Sequence, residues 1–435
     1  MSLKFPFPIF VLLIIVFLVT ALSYDLFGNF RINLVIGFLF SIIVLFYLMF
    51  HCNLLRFIFT YLTFILFSLC SIILIISKND DFIFNGIRDS FLFLFTCLLL
   101  ICIQDKKFIR NLITSFQKYS ITLFTFLILL DFFLLLCLFL DNCYEDVWAW
   151  KGRYFCGFSY SPHALASAIC LLSSLKLLCL RNFKLHSLLL LIPFLFDYFL
   201  ILQTGARVFV IPALLILFLY LYYSLHSKNK LMTVLTSIFC TMCLVVITLN
   251  SNFSSKMKAL DTSGVFQDSS TNPIVLINPN IEIQESNNSS NKIIDSLSSG
   301  RLLFAKKNLE AFVESDILNI LFGNGFNFAY LVSSQYRSSI WAHNDFVSVL
   351  ISGGFLGLGV YLIVLLNVFL TFKVKSSLLL SLIIYVCFPA LLNGFYMYQT
   401  FLFSFVILYL FIYSLSNPKK YIVKTRAFYN LTSVK

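Results

Sequence analysis

The segment WAHNDFVSVLISGGFLG, residues 341–357, sets His343, Asn344 and Asp345 at the mouth of a long apolar run, and His343 is one of five histidines in 435 residues. An imidazole titrates near neutral pH and can take a proton from an attacking hydroxyl. Three other segments carry an arginine beside an apolar run: KGRYFCG with Arg153, LQTGARVF with Arg207, and SSGRLLFAKKNL with Arg301. A guanidinium binds phosphate oxygens through a fixed fork of donors, and the pairing strengthens where water is scarce. Two or three arginines can hold a diphosphate and stabilise it as a leaving group. With a histidine as base, that set suits glycosyl transfer from a lipid diphosphate sugar. His343, Arg207 and Arg301 are the catalytic candidates. Arg153, Arg337 and Asn344 are candidate substrate-binding residues, and no metal-ligand set stands out.

Each residue also has a plainer reading. Arg153 reads equally as an interfacial anchor. Asn344 or Asp345 can cap the helix that follows, and His163, after Pro162, reads as a helix-start residue. Arg207 is harder to explain away, because a charge in a minimal turn between apolar runs is costly unless paired or hydrated. The pair Gly353-Gly354 suits close helix packing.

The elements that must position these residues are membrane helices. The chain is 60% hydrophobic and only 11% charged, more apolar surface than a soluble chain can hide. Run length suggests about twelve spans, at 5–23, 32–50, 57–77, 89–104, 120–140, 162–180, 186–203, 207–225, 231–249, 345–371, 376–393 and 398–416. The fold expected is therefore an all-α polytopic membrane protein with one large loop between the ninth and tenth helices. Residues 1–249 hold nine spans, 250–344 the loop, 345–416 three more spans, and 417–435 a basic tail. Lys4 before the first run, with Ala21-Leu22-Ser23 behind it, also resembles a signal peptide, although the run has the length of a span.

Basic residues orient the chain. With the N-terminus inside, the cytoplasmic turns carry Arg56; Lys106, Lys107, Arg110 and Lys118; Lys176, Arg181 and Lys184; Lys228 and Lys230; and Lys373 and Lys375. The tail adds Lys419, Lys420, Lys424 and Arg426, and Asp105 alone offsets them. The net charge of +12 is thus mostly a topology signal and requires no nucleic-acid partner. Residues 250 to about 300 are rich in Ser and Asn and read as irregular, whereas GRLLFAKKNLEAFVESDILNILFG reads as helical up to Gly323. Most of the twelve cysteines are apolar filler, Cys240 and Cys243 included. Cys143 and Cys156 share an outer loop, where free thiols and a disulfide are both open. Asp131 and Asp197 lie inside spans and call for a cationic partner; an arginine is the first expectation and a proton relay the rival.

TGAR opening a span, GR before an amphipathic loop helix, GNGF about twenty residues on, and HNDFVSVLISGGFLG entering the next span resemble the O-antigen polymerase and O-antigen ligase family. The resemblance covers roughly residues 150–370 and the span layout, and only the His-Asn segment is individually distinctive. It implies a metal-independent, cofactor-free inverting glycosyltransferase of the bacterial inner membrane, with both termini cytoplasmic and its site periplasmic. Its donor and acceptor would be undecaprenyl-diphosphate-linked glycans, with a chain-length regulator as a further partner beside the bilayer. By the same resemblance, Arg207 and Arg301 grip the donor diphosphate and His343 sits beside the attacking hydroxyl. The turn departs from the family pattern in reading Thr-Gly-Ala-Arg, without the serine often found before that arginine. By resemblance alone, the divergent loop and the high Phe and Ile content look like a polymerase more than a ligase. A lipid-linked oligosaccharide flippase is the reading from another class; the lack of an evident repeat and of many intramembrane charges counts against it. No Walker A, His-Glu-x-x-His or Asp-x-Asp sequence points elsewhere.

Overall fold

The computed structural model describes residues 7–22, 82–147, 152–159, 161–180, 188–225, parts of 240–248, 301–334, 342–370 and 376–416. The expected spans at 32–50 and 57–77 and most of 231–249 lie outside the described residues, as do the polar segment 250–300 and the basic tail. Within the described residues the protein is a helical membrane protein. Its helices are α1 (Phe7–Leu22), α2 (Ile83–Cys102), α3 (Lys106–Lys118), α4 (Ser120–Cys137), α5 (Pro162–Leu180), α6 (Ile192–Gln203) and α7 (Val210–Leu225). The loop supplies α8 (Arg301–Val313), α9 (Ile317–Phe322) and α10 (Phe328–Ser334), followed by α11 (Asp345–Leu370), α12 (Ser376–Leu392) and α13 (Gln399–Ser416). Five of these, α2, α4, α5, α11 and α13, are long and apolar enough to cross a membrane, and α1, α6, α7 and α12 contribute shorter apolar stretches.

Helix α5 is the axis of the bundle, buried along almost its whole length and packed on α1, α4, α6, α7 and, most extensively, α13. Its sequence explains this. Between helices in a bilayer the hydrophobic drive is absent, so close approach through small residues and interhelical hydrogen bonds takes over. Residues Ala164, Ala166, Ala168, Ser167 and Ser174 supply the small surface, and Ser174 Oγ lies 2.7 Å from Ser404 Oγ of α13.

Three features depart from the sequence expectation. The all-α reading misses a two-stranded antiparallel sheet, β1 (Tyr144–Val147) against β2 (Gly152–Phe155), with Tyr144 opposite Phe155 and Asp146 opposite Arg153. The basic turn after the fourth expected span is itself a helix, α3. Asp105 caps it by accepting Lys107 N–H at 2.8 Å, and Phe108, Ile109, Leu112, Ile113 and Phe116 face inward at helical spacing while its cations are exposed.

The third departure is the largest. Taken whole, α11 has the length of a span, but at Gly354 its backbone adopts φ 64° and ψ −167° and the helix breaks. Tyr361 Oη lies 3.5 Å from Asp345 Oδ2, although the two residues are sixteen apart. A straight helix would separate them by about 24 Å, so Asp345–Gly353 folds back along the second half. That first arm spans only about 14 Å. It packs with the loop helices, where Ile351 joins Phe312, Ala329 and Ala342 in a separate apolar cluster. Gly353-Gly354 is therefore a fold-back point as well as a close-packing one, since the Leu321 carbonyl of α9 lies where a Gly354 Cβ would be.

Candidate active site

The turn after α12, Asn393-Gly394-Phe395-Tyr396-Met397-Tyr398, organises one end of the bundle. Pro389 sits in the last turn of α12, and Gly394 follows with φ 146°. Each residue of His343-Asn344-Asp345 grips this turn or the carbonyl just before it. His343 Nδ1 lies 3.3 Å from Asn393 Oδ1. Asn344 Nδ2 donates to the Leu391 carbonyl at 2.9 Å while its Oδ1 accepts Val347 N–H at 3.0 Å. Asp345 Oδ2 accepts the backbone N–H groups of Phe395 at 2.6 Å and Tyr396 at 3.1 Å. Asn344 is therefore the helix cap, and both ends of its amide are used by the fold, which leaves the substrate-binding role without structural support. Asp345 is fully buried and braces the turn.

His343 is half-buried and has φ 53°, the one positive φ among the described non-glycine residues. A side chain in that region costs roughly 1–3 kcal/mol and persists where the surroundings over-determine it, often at functional sites. The amide of Asn393 donates from Nδ2 to Tyr398 Oη at 3.0 Å and sets Oδ1 against the imidazole. In the tautomer that donates from Nδ1 to that oxygen, Nε2 is the basic nitrogen of the ring.

Tyr398 joins this chain to two further segments. His163, at the start of α5, stacks on its ring at 6.4 Å between centroids, and Phe209 meets it edge-on at 5.5 Å. Phe209 closes the one-turn 3-10 helix Arg207–Phe209, so Arg207 enters the same end of the bundle, half-buried, two residues away. Thr204 builds that turn: its hydroxyl donates to the Ile201 carbonyl at 2.6 Å and accepts Ala206 N–H at 3.2 Å. Threonine thus supplies the local hydrogen bonding of the turn. Gly205 has φ +62°, and a Cβ there would lie 2.5 Å from the Tyr154 ring.

Tyr154 seats the hairpin on the TGAR turn, and successive strand residues point to opposite faces. Arg153 accordingly turns the other way. It is exposed, donates to the Asp141 carbonyl at 2.7 Å, pairs with Asp141 Oδ1 at 3.3 Å, and lies over the Tyr144 ring. The structure thus separates Arg153 from Arg207 and His343. Arg301 is the first residue of α8, and its side chain lies outside the described part of the structure, as does Arg337 altogether. Cys143 and Cys156 are buried free thiols; Cys156 N–H donates to the Cys143 carbonyl at 2.9 Å. Among the described residues no three His, Cys, Asp or Glu side chains gather around a common point.

The loop locks onto the same region. Asn324 N–H donates to the Ile351 carbonyl at 2.8 Å and Gly325 N–H to the Ser352 carbonyl at 3.0 Å, using carbonyls that the break at Gly354 frees. Three contributors were missed in the sequence. Asn393 and Tyr398 lie in a connector whose Asn-Gly pair announces only a turn. Arg88 of α2 pairs with Asp89 at 2.8 Å and donates to Tyr330 Oη of α10 at 2.7 Å, tying the loop to the bundle.

No family model matches the chain, and neither a curated protein nor a solved structure matches it. What the chain does rests on its own residues.

Proposed function

We propose that this protein is an O-antigen polymerase, a glycosyltransferase that joins undecaprenyl-diphosphate-linked repeat units at the periplasmic face of the inner membrane. The observation that carries the reading is His343 held at positive φ with Nδ1 on Asn393, at the same end of the bundle as the Arg207 turn. In this mechanism Nε2 of His343 takes the proton of the acceptor hydroxyl as its oxygen attacks the anomeric carbon of the donor. The glycosidic C–O bond forms on one face while the bond to the diphosphate breaks on the other, inverting the centre. Undecaprenyl diphosphate leaves with its charge stabilised by Arg207 and Arg301. Twelve spans with cytoplasmic termini and a periplasmic large loop belong to this proposal.

The test uses purified protein in nanodiscs with a labelled lipid-linked repeat unit. A ladder of longer lipid-linked glycans supports polymerisation. Transfer only to added lipid A core makes the protein the ligase, and translocation of the repeat without a new bond makes it a flippase.

A further inference from the structure

Lys176 lies four residues before the end of α5, in what the charge pattern reads as a cytoplasmic turn, yet it is fully buried inside the bundle. Its Nζ meets both oxygens of Asp131 on α4, at 2.7 and 2.6 Å, and both oxygens of Asp197 on α6, at 2.8 Å each. Asp197 is fully buried, and Asp131 is 7% exposed. Three apolar helices thus bury one ammonium and two carboxylates together. The partner of both acids is one lysine, where sequence suggested an arginine.

This arrangement is one positive charge short. Among the described residues the other elements packed on α5 and α6 add no cation beside the triad: Arg207 of the one-turn helix and Arg153 of β2 belong to the end of the bundle where α5 begins and α6 finishes, away from Lys176. Among the described residues α1, α7 and α13 contain no Lys or Arg, and the four cations of α3, Lys106, Lys107, Arg110 and Lys118, are exposed on its outer surface. The remaining titratable groups on these helices are thiols and phenols that are neutral when protonated, Cys137 on α4, Cys170 and Cys179 on α5, Tyr198 on α6, Tyr220, Tyr222 and Tyr223 on α7, and Tyr409 and Tyr413 on α13, together with His163, which sits at the opposite end of α5 from Lys176. Donor counting agrees. An ammonium has three N–H groups, whereas four carboxylate oxygens lie within 2.8 Å of it. Two carboxylates that share one site do not both ionise in a water-poor interior.

We propose that Lys176, Asp131 and Asp197 form a proton-binding site that retains one proton between the two carboxyl groups, with Asp131 as its carrier. Binding of H⁺ turns a triad of net charge −1 into a neutral one. Asp197 is the ionised member because it also accepts the Ser173 hydroxyl. Among the described residues Asp131 has Lys176 as its one hydrogen-bond donor, and it stands at the less buried rim of the cluster, where a proton can enter.

The test is infrared difference spectroscopy on the purified full-length protein in nanodiscs at neutral pH. The wild type minus Asp131→Asn difference is expected to contain the carbonyl stretch of one protonated carboxylic acid, shifted in heavy water. Asp131→Asn itself is expected to fold and melt like the wild type, since a carboxamide copies the neutral carboxyl. A difference spectrum without that band overturns the proposal. So does a band that survives in Asp131→Asn and vanishes in Asp197→Asn, which places the proton on the other acid. Failure of Asp131→Asn to fold also overturns it, because that outcome requires an ionised carboxylate at position 131. Melting that depends on sodium at constant ionic strength, with no carboxylic acid band, puts a metal cation where the proton is proposed.

Discussion

Gly323 and Gly354 each lack a Cβ at a place that the main chain beside the other fills. A Cβ on Gly323, at φ +90°, would lie 2.1 Å from the Ser352 carbonyl oxygen, and one on Gly354 would lie 2.3 Å from that of Leu321. The loop and the folded-back arm of α11 therefore meet backbone to backbone, and the Asn324 and Gly325 hydrogen bonds run across the same contact.

Gly354→Ala is expected to cost at least about 3 kcal/mol, from a backbone region that L side chains avoid plus a clash with a fixed carbonyl. Gly359→Ala is the control. Nothing lies within 4 Å of its added methyl, and alanine in a helix interior gains about 0.5–1 kcal/mol over glycine. Thermal melting in nanodiscs separates the two, and equal melting temperatures would refute the interlock.

His343→Ala is expected to abolish glycan extension while membrane abundance stays at the wild-type level. Asn393→Leu keeps the imidazole but removes the acceptor that holds it, and a misplaced catalytic group costs on the order of 100-fold. The loss should fall on kcat with KM nearly unchanged. A wild-type kcat for Asn393→Leu would show that the amide does not position His343.

Arg153→Ala is expected to leave extension within about 3-fold of wild type. Its ion pair with Asp141 is exposed on both sides, and such pairs contribute roughly 0–1 kcal/mol. Arg207→Ala should remove nearly all product. If Arg153→Ala were as damaging as Arg207→Ala, the hairpin would have to present Arg153 to substrate in another conformation.

Lys176→Met strands two acids in the bundle and is expected to destabilise the protein by about 3–5 kcal/mol. Adding Asp131→Asn and Asp197→Asn to it removes the carboxylate left without its cation together with its neighbour, and most of the lost melting temperature should return. No recovery in the triple variant would mean that Lys176 acts through packing and not through charge.

Tyr330→Phe is expected to lower stability by about 1–3 kcal/mol. The hydroxyl accepts from Arg88 and donates to Asp89 Oδ2 at 2.7 Å, and its loss leaves a buried carboxylate one donor short. Protease nicking of the loop in the native state reports whether α10 loosens from α2.

The sequence by itself determined the class of molecule and most helix positions. Runs such as 120–137 and 162–180 are apolar over a bilayer's thickness whatever surrounds them. It also marked His343, Arg207 and the Gly-Asn-Gly segment, because charges, histidines and glycines are scarce enough here to stand out. Only the tertiary structure decided how those residues are used. Charge counting put Lys176 in a basic turn, and only the approach of Asp131 and Asp197 from two other helices makes its burial affordable. Length counting made 345–371 one span, and only the loop's N–H groups at Ile351 and Ser352 allow the helix to break and fold back. Asn393 looked like an ordinary turn residue until His343, fifty positions earlier, was placed against it. Local pattern records what a segment can be. Pairing between distant segments sets which polar groups are satisfied, and that selects the conformation.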